Sequence, residues 1–188
     1  MGIRSNSNKL KKQKAFFLDR DGTLNEAVVN RPDLPEKPVT APFLFKELRF
    51  VPRLQESLEI MRGAGFRLIV ITNQPDVANG YMTQREWEKI HYAVMNEVEP
   101  DDWMACRHRS VDKCKYKKPS PEMILAMAEK WDVDLKKSYM VGDTSNDTIA
   151  GKAAGCQTIL IRWPYNEGVG ADFVVANLLK AAELVASR

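Results

Sequence analysis

Residues 15–25, Ala15-Phe16-Phe17-Leu18-Asp19-Arg20-Asp21-Gly22-Thr23-Leu24-Asn25, pass from four apolar side chains to two carboxylates. An apolar run this short and continuous suits a strand buried on both faces of a parallel sheet. The Asp-Gly that follows is turn chemistry, and glycine permits the tight turn that brings backbone N–H groups toward an anion. Similar runs recur at 66–72, 139–142, 158–161 and 173–176. Between them the period is helical. Leu54, Leu58 and Met61 share a face that Gly63 and Gly65 terminate. Thr83 and Glu86 predict a capping box ahead of Trp87, Ile90, Val94 and Val98. Ser120 predicts a cap, with Pro121 at the first helical position before Met123, Met127 and Trp131. Two more helices are expected over 146–154 and 178–185.

This alternation predicts right-handed crossovers and an α/β fold, a doubly wound, Rossmann-like parallel sheet. Ligands bind beyond the carboxyl ends of such strands. Those ends here read Leu18-Asp19, Ile71-Thr72-Asn73 and Val141-Gly142-Asp143. The stretch 26–52, with Pro32, Pro35, Pro38 and Pro42, is too short and broken for a second domain and is expected as a structured loop beside the site.

The 188 residues suit one domain, and 44% hydrophobic with 28% charged residues excludes a disordered chain. The net charge of +3 sits unevenly: Arg4, Lys9, Lys11, Lys12 and Lys14 precede any acid, so the rest of the chain is net negative. We therefore expect a basic, flexible tail over 1–14, a domain over 15–188, and no nucleic-acid partner. No apolar run reaches membrane-spanning length, and no signal-peptide stretch opens the chain, so no membrane association and a cytoplasmic location are expected. Three cysteines, an odd number, speak against a disulfide framework.

The chemistry gathers at the strand ends. Of the paired carboxylates Asp19 and Asp21, one can attack phosphorus and the other can protonate a departing alkoxide; taken alone the pair is equally a solvated turn. Thr72, Asn73 and Gln74 offer a hydroxyl and amides, Lys118 a cation, and Asp143 and Asp147 two more acids. Asp19 and Asp143, with a backbone carbonyl, make the incomplete oxygen shell that Mg²⁺ prefers. Cys106, His108 and Cys114 can supply zinc ligands, with Tyr116 beside them; a metal-free loop held by packing is the alternative.

This ordered set resembles the haloacid dehalogenase-like phosphohydrolases, through Asp19–Thr23, Thr72, Lys118 and Gly142–Asp147. The resemblance implies a capless phosphatase domain with Asp19 as nucleophile and Asp21 as general acid/base. Thr72 and Lys118 would hold phosphate, Asp19, Asp21 and Asp143 would form the magnesium set, and Asp147 would support them. Within the family, the segments Thr72-Asn73-Gln74, Cys106-x-His108 and Lys117-Lys118-Pro119 are similar to the heptose-bisphosphate and histidinol-phosphate phosphatases. That similarity implies a small phosphorylated sugar or polyol substrate, with Asn25, Asn73, Gln74 and Lys117 as substrate contacts; a monomer or weak oligomer is expected. In those relatives a cysteine stands at the place of Tyr116. A binding protein on the same fold is the alternative of another class.

Overall fold

A computed structural model describes residues 12–187. Most of the expected tail, residues 1–11, lies outside the described residues. Gln13 already bridges to Val133 and Lys14 opens the first strand, so both belong to the folded domain.

The strand β1 (Lys14–Leu18) leads through a short antiparallel pair, β2 (Val28–Val29) and β3 (Val39–Thr40), to α1 (Leu54–Gly63) and β4 (Phe66–Asn73). Next come α2 (Gln84–Val98), β5 (Asp102–Cys106), α3 (Glu122–Lys130) and β6 (Tyr139–Gly142). The chain closes with α4 (Ser145–Ala154), β7 (Gln157–Ile161), β8 (Phe173–Val175) and α5 (Leu178–Ala186). Six strands form one parallel sheet in the order β5-β4-β1-β6-β7-β8. The chain leaves β1 toward β4 on one side and comes back for β6 on the other. The carboxyl end of β1 is therefore the switch point of the sheet, where a ligand crevice opens.

The apolar runs divide between two layers as their period of two requires. Phe16, Leu18, Leu68 and Val70 join α1 and α5, while Ala15, Phe17, Ile69 and Ile71 join α3 and α4 on the opposite face. Both faces are buried, which is why these strands alternate so little in polarity. The expected capping box of α2 is only half made. Thr83 accepts from the Glu86 N–H at 3.1 Å, but the Glu86 carboxylate accepts from the Phe45 N–H at 2.7 Å and pairs with Lys89. The tertiary donor displaces the local one. Likewise α3 starts one residue later than expected, with Pro121 in the cap position and Ser120 Oγ accepting from the Glu122 N–H at 3.4 Å.

The proline-rich stretch is an arm built on β2–β3, beside the end of β1. Arg31 fixes it, reaching both Glu47 oxygens at 3.0 and 2.8 Å and lying over the Phe43 ring at 4.3 Å. Glu47 also accepts from the Phe43 and Leu44 N–H groups at 2.8 and 3.2 Å. Bonded to Arg31, its carboxyl is held down at about 2. A depressed carboxyl stabilises the fold in full above its ordinary value of 4.5, and that contribution is lost as pH falls toward 2. Glu47→Gln should loosen the arm at neutral pH. Amide hydrogen exchange over residues 28–40 should speed up in the variant, and wild type should approach the variant's rate only in strong acid. Unchanged exchange would show that the arm is held by its apolar contacts alone.

Candidate active site

Asp19 follows the last residue of β1, and its N–H extends the ladder to the Val141 carbonyl at 2.9 Å. Beyond it the chain winds around one oxygen: the N–H groups of Thr23, Leu24 and Asn25 converge on the Arg20 carbonyl at 3.3, 2.8 and 3.1 Å. Two glycines make the close approach of the loops possible. Gly22 has φ +82°, and a Cβ there would collide with the Asp143 carboxylate; a Cβ on Gly142 would collide with Asp147.

Lys118 is the electrostatic centre. Its buried ammonium touches Asp19 Oδ1 at 2.8 Å and Asp147 Oδ1 at 2.6 Å, and donates to the Ile71 carbonyl at 2.9 Å. Burial opposes its charge, but Asp147 and Asp19 outweigh burial and hold the ammonium protonated well above its ordinary range. Burial, then the Asp147 charge, pushes the Asp19 carboxyl up to about 6, with Lys118 pulling the other way. Asp143 is raised too, first by burial and then by Asp19 and Asp147.

Three carboxylates crowded this closely call for a cation. Oxygens of Asp19, Asp143 and Asp147 lie within 4.8 Å of one another. Asp147 is already satisfied, with Lys118 on one oxygen and the Thr144 N–H and hydroxyl on the other at 3.0 and 2.6 Å. Asp143 is not. Tyr165 donates to its Oδ2 at 2.6 Å, while the buried Oδ1 has no partner among the described residues. A hard oxygen set with one free buried carboxylate oxygen fits Mg²⁺, held by Asp19 and Asp143 with Asp147 supporting Lys118 and the loop.

A cavity of about 340 Å³ opens over these groups, with Asp19, Asp21, Asn73, Lys118 and Asp143 on its wall. Thr72 is buried at the end of β4 and accepts from the Gln74 amide at 3.0 Å, which leaves its own hydrogen for a ligand oxygen. Asn73 reaches the wall but spends both ends of its amide on the Lys118 backbone, at 2.9 and 3.0 Å, so it positions the lysine. Asn25 and Gln74, expected as substrate contacts, are fully buried and turned onto Asp21 instead. Lys117, also expected there, donates to the His108 carbonyl at 3.0 Å and does not reach the cavity wall.

Sequence reasoning missed other wall residues: Lys37 on the arm, Asp76 after β4, and Thr144 and Asn146 after β6. The Lys37 ammonium rests over the Tyr81 ring at 3.8 Å. A second, more apolar groove of about 560 Å³ adjoins the first through Ala27 and Val39. Its wall includes Trp163 and Tyr165, anchored to the Gly22 carbonyl and to Asp143.

Cys106, His108 and Cys114 do come together, each with a ligand atom within 4.8 Å of the others. Cys106 Sγ lies 3.8 Å from His108 Nδ1. Tyr116 packs against the apolar layer between the sheet and helices α3 and α4.

The chain matches the haloacid dehalogenase-like hydrolase family over residues 25–155. It is 33% identical over 177 residues to a D-glycero-D-manno-heptose-1,7-bisphosphate 7-phosphatase of Chlorobaculum tepidum, covering 82% of this chain and 81% of that protein. It is 31% identical over 159 residues to a D-glycero-beta-D-manno-heptose-1,7-bisphosphate 7-phosphatase of Rhodopseudomonas palustris, covering 77% and 81%. A solved structure of the D,D-heptose 1,7-bisphosphate phosphatase from B. bronchiseptica, complexed with magnesium and phosphate, superposes with a TM-score of 0.76 at 25% identity. That superposition covers 93% of this chain and 99% of the other. With the family match spanning more than half of the chain and two phosphatase relatives 31% and 33% identical, the chain belongs to the haloacid dehalogenase-like hydrolase family, among its phosphatases.

Proposed function

We propose that this chain is a magnesium-dependent sugar-phosphate phosphatase working through an aspartyl-phosphate on Asp19, with the 7-phosphate of D-glycero-D-manno-heptose 1,7-bisphosphate as substrate. The observation that carries this reading is the buried Lys118 bound to Asp19 beside Asp143, with Asp21 on the same cavity wall. In the first step Asp19 attacks phosphorus, the bond to the ester oxygen breaks, and Asp21 gives that oxygen its proton. Asp21 then takes a proton from water, whose oxygen attacks the aspartyl-phosphate; phosphate leaves and both acids are restored. Lys118 and the Thr72 hydroxyl hold the phosphoryl oxygens as charge builds on them. When bound, Mg²⁺ would neutralise phosphoryl charge and favour the ionised form of Asp19.

The cavity of about 340 Å³ suits a small phosphate ester, and the arm contributes Lys37, Val39, Thr40 and Ala41 to its wall. A phosphate-release screen over heptose and hexose bisphosphates, their monophosphates and histidinol phosphate tests the substrate. The bisphosphate should lead; preference for histidinol phosphate would replace the sugar reading. A second phosphate needs a cation on the wall, and Lys37 supplies one where Lys117 does not. Lys37→Ala should raise KM for the bisphosphate by about 10-fold and leave that of the monophosphate within about 2-fold. The reverse result, with Lys117→Ala selective, would move the distal phosphate to the cysteine loop.

That loop supports a zinc reading. Two cysteines and a histidine already gathered at ligand distance suit Zn²⁺, with a fourth position left to water. Metal analysis of protein prepared without chelator should show about one zinc per chain. Cys114→Ser should lose it and lower the melting temperature. A zinc-free preparation with unchanged melting would mean that packing alone holds the loop.

A further inference from the structure

Arg20 stands between the two working aspartates, yet it is among the largest fully buried side chains of the described residues. Its guanidinium is spent on one neighbour. Nε and Nη2 donate to Asp21 Oδ1 at 3.1 and 2.9 Å, and Nη2 also donates to Oδ2 at 2.9 Å. Two amides complete the grip: Asn25 Nδ2 donates to Oδ1 at 3.0 Å and Gln74 Nε2 to Oδ2 at 2.6 Å. The same Gln74 nitrogen reaches Thr72 Oγ1 at 3.0 Å, so one side chain ties the proposed proton donor to the proposed phosphate-holding hydroxyl.

We propose that Arg20, Gln74 and Asn25 are positioning residues that fix Asp21 against the cavity wall for proton transfer to the leaving oxygen. The inference rests on Asp21 as general acid. An aspartate on a loop has two side-chain torsions, and a wall facing a buried ammonium invites it to swing toward that charge. Lys118 already has three partners, Asp19, Asp147 and the Ile71 carbonyl. A fourth claimant would disturb that arrangement and leave the ester oxygen without its proton. The planar, bidentate fork of arginine prevents this in a way that a lysine's point charge does not.

The Arg20 charge is also felt by a buried imidazole on α2. His91, fully buried on α2, stacks on Trp87 with ring centroids 4.7 Å apart and meets the edge of Trp103 at 4.3 Å. Burial, then the charges of Arg20 and Arg107, keeps its imidazole neutral by holding it down at about 4. Gln74 Oε1, Asn25 Oδ1 and Arg20 Nη1 are buried without partners among the described residues, so the set is organised around Asp21 at some cost in unmet hydrogen bonds.

The test separates positioning from mere structural support by the leaving group. An alkoxide needs its proton as the bond breaks, whereas p-nitrophenolate is stable without one. Single-turnover release of the leaving group, which reports the first step alone, is measured for a hexose phosphate and for p-nitrophenyl phosphate. The variants are Arg20→Met, Arg20→Lys, Gln74→Met and, as reference, Asp21→Asn. Misplacing the donor should slow the hexose phosphate by about 10²-fold in Arg20→Met and about 10-fold in Gln74→Met. The aryl ester should change by less than about 3-fold in Arg20→Met; Gln74→Met, which also releases the Thr72 hydroxyl, should slow it as well, but by less than the hexose phosphate. Arg20→Lys should recover only part of the loss. Should Arg20→Met not fold, Gln74→Met and Arg20→Lys carry the same comparison. Equal losses on both esters in these variants, with Asp21→Asn still selective, would overturn the positioning role alone. Equal losses in Asp21→Asn as well would remove the general acid and the proposal with it.

Discussion

Asp19→Asn should leave a folded protein whose turnover has fallen by about 10⁴-fold or more, on alkyl and aryl phosphates alike. The loss follows from what the carboxylate does in this structure. Its oxygen is the atom that would bond to phosphorus, and an amide is no substitute as a nucleophile. Its partner Lys118 would keep Asp147, so the buried ammonium would not be left without a counter-charge. Stability should therefore change little or even improve, because Asp19 sits with its carboxyl pushed up to about 6 among other acids. The insensitivity to leaving group sets this variant apart from Asp21→Asn. Acid quench during a single turnover, before the aspartyl-phosphate hydrolyses, with mass measurement of the 15–25 peptide, should find added phosphate on wild type and none on the variant. A variant that keeps more than a small fraction of activity, once deamidation back to aspartate is excluded, would assign the nucleophile elsewhere.

The parts of this site that the sequence revealed are those where strand and chemistry meet in adjacent residues. Leu18-Asp19, Ile71-Thr72 and Val141-Gly142-Asp143 each show a fully apolar run ending in a polar side chain, and the sheet brings all three to one crevice. The central strands were legible because both faces are buried. The edge strand β5 was not, since Asp102-Trp103-Met104-Ala105-Cys106 is only partly buried and opens on an acid held by Lys130 and Trp131. Nothing local marks Arg20 as buried; it is inside because Asp21, its neighbour in sequence, supplies the counter-charge. Gln74 looked like a substrate contact because it follows Thr72. The end of β4 turns it back instead, its N–H donating to the Cys106 carbonyl at 2.7 Å. Tyr165 reaches Asp143 across 22 positions and Lys37 comes from the proline-rich arm; neither contact has a local pattern to betray it.

Lys118→Met should combine the loss of activity with a large loss of stability. Removing the ammonium leaves Asp19 and Asp147 facing each other, with Asp143 close by, in a buried site. Breaking a buried ion pair from one side costs about 3–5 kcal/mol. For a domain of this size that corresponds to a fall in Tm of about 10 °C. The deficit should depend on pH, and its direction can be worked out. Asp19 is already raised above its ordinary 3.8 with Lys118 present, and Lys118 is one of the influences that lower it. Without the lysine the carboxyl rises further. An acid whose pKa is higher in the folded than in the unfolded state stabilises the fold increasingly as pH drops through the folded value. The gap between variant and wild type should therefore be widest near pH 8 and narrow by pH 5, where protonation removes the repulsion. Lys118→Arg should not restore activity, because the pocket is built around one nitrogen reaching two carboxylates and a carbonyl within 2.9 Å. Thermal melts of both variants at the two pH values measure this directly. A deficit that does not move with pH would mean that Lys118 stabilises the site by packing, and that the acids around it do not depend on its charge.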